Sequence, residues 1–115
     1  MKQRDGSVDR RQQVRADLVA VLSSLRDAAD VDAFLEDLCS PAEIEALADR
    51  WSVVPLLVEG MPYRRINEVT GVSVTTVGRI ARCLDGTAGG YRTALEHHPG
   101  RPAHLPAQLS GPSSA

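Results

Sequence analysis

Aromatic side chains are scarce in this 115-residue chain: one Trp, two Tyr and one Phe. Leu, Val, Ile and Ala must therefore fill its core, a composition that suits helices better than the aromatic and β-branched runs of a sheet. Cysteine is nearly as rare. Cys39 and Cys83 lie far apart and belong to no CxxC or Cys/His ligand set, which argues against a zinc ribbon or a redox pair and leaves both as expected small core residues. No apolar run reaches membrane length and no signal peptide is recognisable, so a reducing cytoplasm is the expected compartment and no membrane partner is expected. A phosphate loop, a metal-ligand spacing and a nucleophile–base pair are also missing, which speaks against an enzyme and against any cofactor. No internal repeat is visible. The length allows one small domain with a single core.

The charge that is present is segregated. The formal net charge is −2, yet residues 1–26 carry six bases against three acids. Residues 27–49 then carry eight acids and no base. The sign reverses again over residues 63–95, where Arg64, Arg65, Arg79, Arg82 and Arg92 face only Glu68 and Asp85. Local charge, not the sequence pI of about 5.9, decides whether a surface suits nucleic acid.

Helical spacing accounts for most of the chain. The first residues are polar and are expected to be frayed, with segment 1–8 unstructured and the folded domain spanning 9–96. Val14, Leu18, Val21, Leu22 and Leu25 mark one face of a helix from about Asp9 to Ala29. Asp30 is the expected cap of a second helix with an inward stripe of Val31, Phe34, Leu35 and Leu38. "SPAEIEAL" reads as a capping box: Ser40 and Glu43 exchange hydrogen bonds and Pro41 takes the first helical position. The helix it opens should turn Ile44, Leu47, Ala48 and Trp51 inward and stop at Gly60, with a kink or break at Pro55. Trp51 is read as core in preference to a ligand contact. Shorter helices are expected at about 63–69 and 74–84, followed by the loop "GTAGG" and a last short helix in "YRTALEHH". The Pro-rich segment 97–115 is expected to be a disordered tail, and its His97, His98 and His104 a solvated feature, not a metal site.

"YRRINEVTGVSVTTVGRIARCL" reads as helix, turn, helix. Ile66 and Val69 face inward, Gly71 permits the positive φ of a tight reversal, and Val72 buries in the angle. Ser73 caps the second helix, while Val77, Ile80 and Leu84 continue the buried face. Val74, Thr75 and Gly78 are left outward, with Thr76 and Arg79 at the flanks. In DNA readers of this type the first residues of the second helix reach base edges in the major groove. Threonine suits that work, because its hydroxyl bonds base edges or phosphates and its methyl packs on a thymine methyl. Arg64 and Arg65 are positioned for phosphates, with Ser73, Gly78 and Arg82 as further backbone contacts. Gly78 costs roughly 1 kcal/mol relative to Ala in a helix, a cost explained either by close approach to DNA or by an unoptimised site. An ordinary helical hairpin is the alternative for this stretch.

Taken together, "LCSPAEIEALADRW", "LLVEGMPYRRINEVTGVSVTTVGRIARCL" and "GGY" resemble the Trp repressor superfamily, in particular its Trp-repressor-like branch, over about Phe34 to Leu95. The resemblance implies an all-α, Trp-repressor-like helical bundle with a helix-turn-helix, in which helices of two chains interlace into a homodimer. It also implies double-stranded DNA as partner, with a near-palindromic operator whose half-sites lie about one turn apart. In that family free tryptophan serves as corepressor. The pocket positions carry over as Ser40 for a threonine, Arg50 and Arg79 for two arginines, Ile80 for a glycine and Cys83 for a serine. Both cationic clamps are thus kept, while isoleucine stands where a glycine lets the indole approach the backbone. Arg50 and Arg79 are open to two readings: ion-pair partners of the acidic segment, or clamps for a different, smaller amino-acid-like effector. Pro62 replaces the family's capping serine, and Asn67 a small alanine that must face DNA or find a partner if buried.

The reading favoured by these residues is a dimeric, sequence-specific transcriptional regulator, a repressor that does not use tryptophan. A repressor answering to another small effector is the alternative, and a helical protein–protein interaction module is the alternative of a different class.

Overall fold

The computed structural model describes residues 2–98, with side chains from Val8 onward. Of the expected proline-rich tail, 97–115, the part beyond His98, with His104, lies outside the described residues, whereas His97 is the last residue of the final helix. Those residues form six helices and no strand: α1 (Lys2–Ser24), α2 (Ala28–Leu38), α3 (Pro41–Val58), α4 (Tyr63–Thr70), α5 (Val74–Leu84) and α6 (Gly90–His97). No helix among them is long and apolar enough to cross a membrane. The chain divides into two compact units, Met1–Ile44 and Glu45–Ala115.

The first unit contains α1, α2 and the start of α3. α1 begins at Lys2 and ends at Ser24, earlier at both ends than the span from Asp9 to Ala29 that the apolar rhythm indicates. Polar residues therefore extend the helix before its apolar stripe starts. Asp27, not Asp30, caps α2: its carboxylate accepts the Ala29 N–H, and Asp30 falls in the first turn. Both aspartates are capable caps, and the two alanines between them are good helix formers that favour the earlier start. α3 opens as its sequence indicates. The Ser40 N–H donates to Glu43 Oε1 at 2.7 Å and the Glu43 N–H donates to Ser40 Oγ at 3.1 Å, a reciprocal box ahead of Pro41.

Apolar side chains in this unit are poorly covered. Val14 is 51% exposed, Leu18 38%, Val21 41% and Leu22 38%, and α2 has no buried residue.

The second unit holds the core. Val53, Val54 and Leu56 of α3 meet Ile66 of α4, Val72 of the turn, and Val77, Ile80 and Leu84 of α5. Trp51, Leu57, Met61, Val69, Tyr91 and Leu95 pack around them half-buried. Trp51 and Tyr91 face each other with ring centroids 6.5 Å apart, joining α3 to α6. Trp51 thus behaves as a packing residue. Leu47 and Ala48 do not face inward as their spacing suggests; both are exposed, and burial on α3 begins only at Ser52.

α3 runs through Pro55 without a break. A proline inside a helix costs about 3 kcal/mol or more. Burial of Val53, Val54 and Leu56 on either side, at about 1.5–3 kcal/mol each, offsets it. The helix ends in a Schellman motif at Gly60 (φ 87°): the Met61 N–H donates to the Leu56 carbonyl and the Gly60 N–H to the Leu57 carbonyl. At the other end of the unit, Arg92 Nε donates to the Leu84 carbonyl and its guanidinium lies 3.9 Å from Asp85, so α6 holds the C-terminus of α5.

Candidate nucleic-acid interface

α4 and α5 form the helix-turn-helix that their sequence announces. Gly71 ends α4 at φ 80°, where any other residue would be strained. Its N–H donates to the Asn67 carbonyl at 2.8 Å. Val72 is buried in the angle, and Ser73 adopts extended backbone to start α5. The Ser73 hydroxyl accepts the Thr76 N–H at 3.1 Å and donates to Thr76 Oγ1 at 3.0 Å. With the Val77 N–H on the Ser73 carbonyl, three local bonds to Ser73 hold the first turn of α5.

Val77, Ile80 and Leu84 bury the inner stripe of α5, and the rest of the helix is presented outward. Val74 is 46% exposed. Thr75 is exposed with no hydrogen bond to its hydroxyl among the described residues, whereas Thr76 is half-buried and already tied to the cap. Gly78 is half-buried: a Cβ there would meet Tyr63 of α4 at 3.7 Å, an ordinary contact. Arg82 is exposed on the last turn.

On α4, Arg64 is exposed and free of ion pairs among the described residues, while Arg65 pairs with Glu68 at 3.2 Å. That pair is half-exposed on both sides and therefore worth at most about 1 kcal/mol. A phosphate could displace it. Pro62 begins α4 with no side-chain cap, because its ring carries no hydrogen-bond acceptor.

The residues associated with an effector are dispersed in character. Ser40 spends its hydroxyl on the α3 cap. Ile80 is only 2% exposed, its side chain committed to the core. Arg50 and Arg79 are exposed and, among the described residues, neither is in an ion pair with the acidic segment or any other group. Cys83 is exposed, not the core residue its composition suggests, because Leu84 takes the inward position at the end of the stripe. Cys39 is half-buried.

Two contributors to this region were not evident in the sequence. Thr70 Oγ1 donates to the Ile66 carbonyl at 2.8 Å and accepts the Val72 N–H at 3.1 Å. Asn67, marked only as an unusual residue needing a partner, donates through Nδ2 to the Val72 carbonyl at 2.9 Å.

The model of the family described as Trp repressor protein matches residues 13–99, three quarters of the chain. The chain belongs to the Trp repressor family. Consistent with that membership, it is 40% identical over 73 residues to the uncharacterized protein YerC of Bacillus subtilis (strain 168), which covers 64% of this chain and 70% of that protein. Its fold matches the crystal structure of a TrpR like protein from Eubacterium eligens ATCC 27750 with a TM-score of 0.71 and 33% identity, over 77% of this chain and 92% of the other. The all-helical architecture is therefore that of a Trp-repressor-like protein. Family and fold are those of a helix-turn-helix DNA-binding regulator, not of an enzyme.

Proposed function

We propose that this Trp repressor family member is a dimeric, sequence-specific repressor that binds a near-palindromic operator without tryptophan. The observation that carries the reading is on α5. Its cap is complete, Val74 and Thr75 stand outward at its start, and Ile80 fills the core where a ring-binding family member needs a glycine. Val74, Thr75 and, secondarily, Thr76 read base edges. Arg64, Arg65, Ser73, Gly78 and Arg82 hold the sugar-phosphate backbone. Arg79 follows Thr75 by four residues on the same helix and has no protein partner among the described residues, so it is available to DNA as well.

Dimerisation is supported by the uncovered stripe of α1, whose Val14, Leu18, Val21 and Leu22 remain over a third exposed in the single chain. Segment 9–96 would be the unit that both dimerises and binds DNA.

The deciding experiment is selection of genomic fragments by the purified protein, with and without a pool of amino acids. A near-palindromic motif in both arms is expected. The same motif only with amino acids would favour the second reading, in which the unpaired guanidinium groups of Arg50 and Arg79 clamp a small effector. Absence of enrichment in both would leave α5 as a protein-docking face. Within the selected motif, Thr75→Ala with Thr76→Ala should relax preference at the base pairs they meet. Arg64→Ala should instead weaken binding to all sequences alike.

A further inference from the structure

The backbone of Val72 is the point through which α4 and α5 are joined, and both of its polar groups are taken by α4 side chains. Asn67 Nδ2 donates to its carbonyl at 2.9 Å, and Thr70 Oγ1 accepts its N–H at 3.1 Å while anchoring itself on the Ile66 carbonyl at 2.8 Å. The Val72 side chain is meanwhile sunk in the core, at 8% exposure. Three attachments, two polar and one apolar, leave this residue no rotation that would not break a partly buried bond. A glycine at left-handed φ immediately before it and the capping serine of α5 immediately after it complete the constraint.

We propose that Asn67 and Thr70 are positioning residues that clamp Val72 and thereby hold α5 at its reading angle with no bound effector. The inference rests on the reading of α4 and α5 as a DNA-binding motif, but the clamp itself is testable without DNA. Neither side chain needs to touch DNA to act. Loss of either bond frees one backbone group of a buried residue, and the turn relaxes to hydrate it. With the angle of α5 no longer fixed, the motif still meets phosphates through Arg64 and Arg65 of α4 and Arg82 of α5. It loses the registry that base contacts require, because these need the donor and acceptor atoms in place. The clamp therefore governs specificity more than overall affinity.

The test uses the 115-residue chain and four variants. Asn67→Asp keeps the side-chain shape but, when ionised, offers only acceptors to a carbonyl, and Asn67→Ala removes the group. Thr70→Val is nearly isosteric without the hydroxyl, and Thr70→Ser keeps the hydroxyl. Amide hydrogen exchange in the absence of DNA should accelerate about tenfold or more from Val72 to Val77 in the first three variants, with α3 unaffected, and should stay within about twofold of the parent in Thr70→Ser. Adding an amino-acid pool should not slow exchange in the parent. Affinity for the selected operator should fall at least about tenfold in the first three variants while affinity for a scrambled duplex changes less than about twofold.

Parent-like exchange in Asn67→Asp and Thr70→Val would overturn the proposal. So would equal loss on operator and scrambled DNA, or failure of Thr70→Ser to restore the parent behaviour. If the parent selects no operator, the exchange arm still decides the clamp while the DNA-reading assignment fails on its own.

Discussion

Thr75 and Thr76 are identical neighbours whose hydroxyls stand in different circumstances. The Thr76 hydroxyl accepts a hydrogen bond from the Ser73 hydroxyl and sits half-buried beside the cap, while the Thr75 hydroxyl is exposed and uncommitted among the described residues. Taken singly, Thr75→Ala should therefore lower discrimination at one base pair of the half-site by about 1–3 kcal/mol with little change in stability. Thr76→Ala should mainly weaken the start of α5. Competition between operator variants, together with thermal melts of both proteins, checks the division of roles. Gly78 offers a second residue-level test. The space beside it accepts a methyl group at 3.7 Å from the Tyr63 ring, so Gly78→Ala should stabilise the protein by about 1 kcal/mol. Operator affinity should nevertheless drop, since the glycine is assigned to close approach of the helix to the sugar-phosphate backbone. A more stable variant with unchanged affinity would mark the position as merely unoptimised.

At the scale of elements, the turn between α4 and α5 depends on Gly71 being free to take φ 80°. Gly71→Ala should cost about 1–2 kcal/mol of stability through left-handed strain, measurable as a lowered denaturant midpoint, and should disturb α5 more than α3. This turn, the Ser40–Glu43 box and the Gly60 stop were all legible in the sequence, because each is encoded within a few residues of chain. The buried stripe Val77, Ile80, Leu84 was legible for a similar reason: helical spacing alone selects it. Other features depend on what lies across from them. Leu47 and Ala48 have the spacing of an inward face but nothing in the single chain covers them. Cys83 has the character of a small core residue, yet it lies beside the inner stripe and is exposed. The choice between Asp27 and Asp30 as cap turned on two alanines that periodicity does not weigh. In the candidate site, the outward residues of α5 could be assigned from spacing. The bonds from Asn67 and Thr70 to Val72 could not, because they span a turn whose geometry is set by the packed helices.

For the whole molecule, the decisive feature is the distribution of apolar cover: a closed core beyond Ser52 and an uncovered stripe on α1. If that stripe is the seat of a second copy, Leu22→Lys should abolish the dimer in sedimentation. It should also lower the melting temperature in a manner that higher protein concentration does not repair, whereas the parent's melting temperature should rise with concentration. A parent that sediments as a monomer at micromolar concentration would refute the dimeric reading. The bonds that shape the turn have a consequence of another kind. Those made by Asn67, Thr70, Ser73 and Thr76 join uncharged groups only, and neutral contacts are nearly indifferent to ionic strength. Added salt then thins the counterion gradient around the duplex without loosening the helix that reads it. The logarithmic decline of affinity with salt becomes a direct tally of phosphates engaged, about 0.9 per contact, with one step lost in Arg64→Ala.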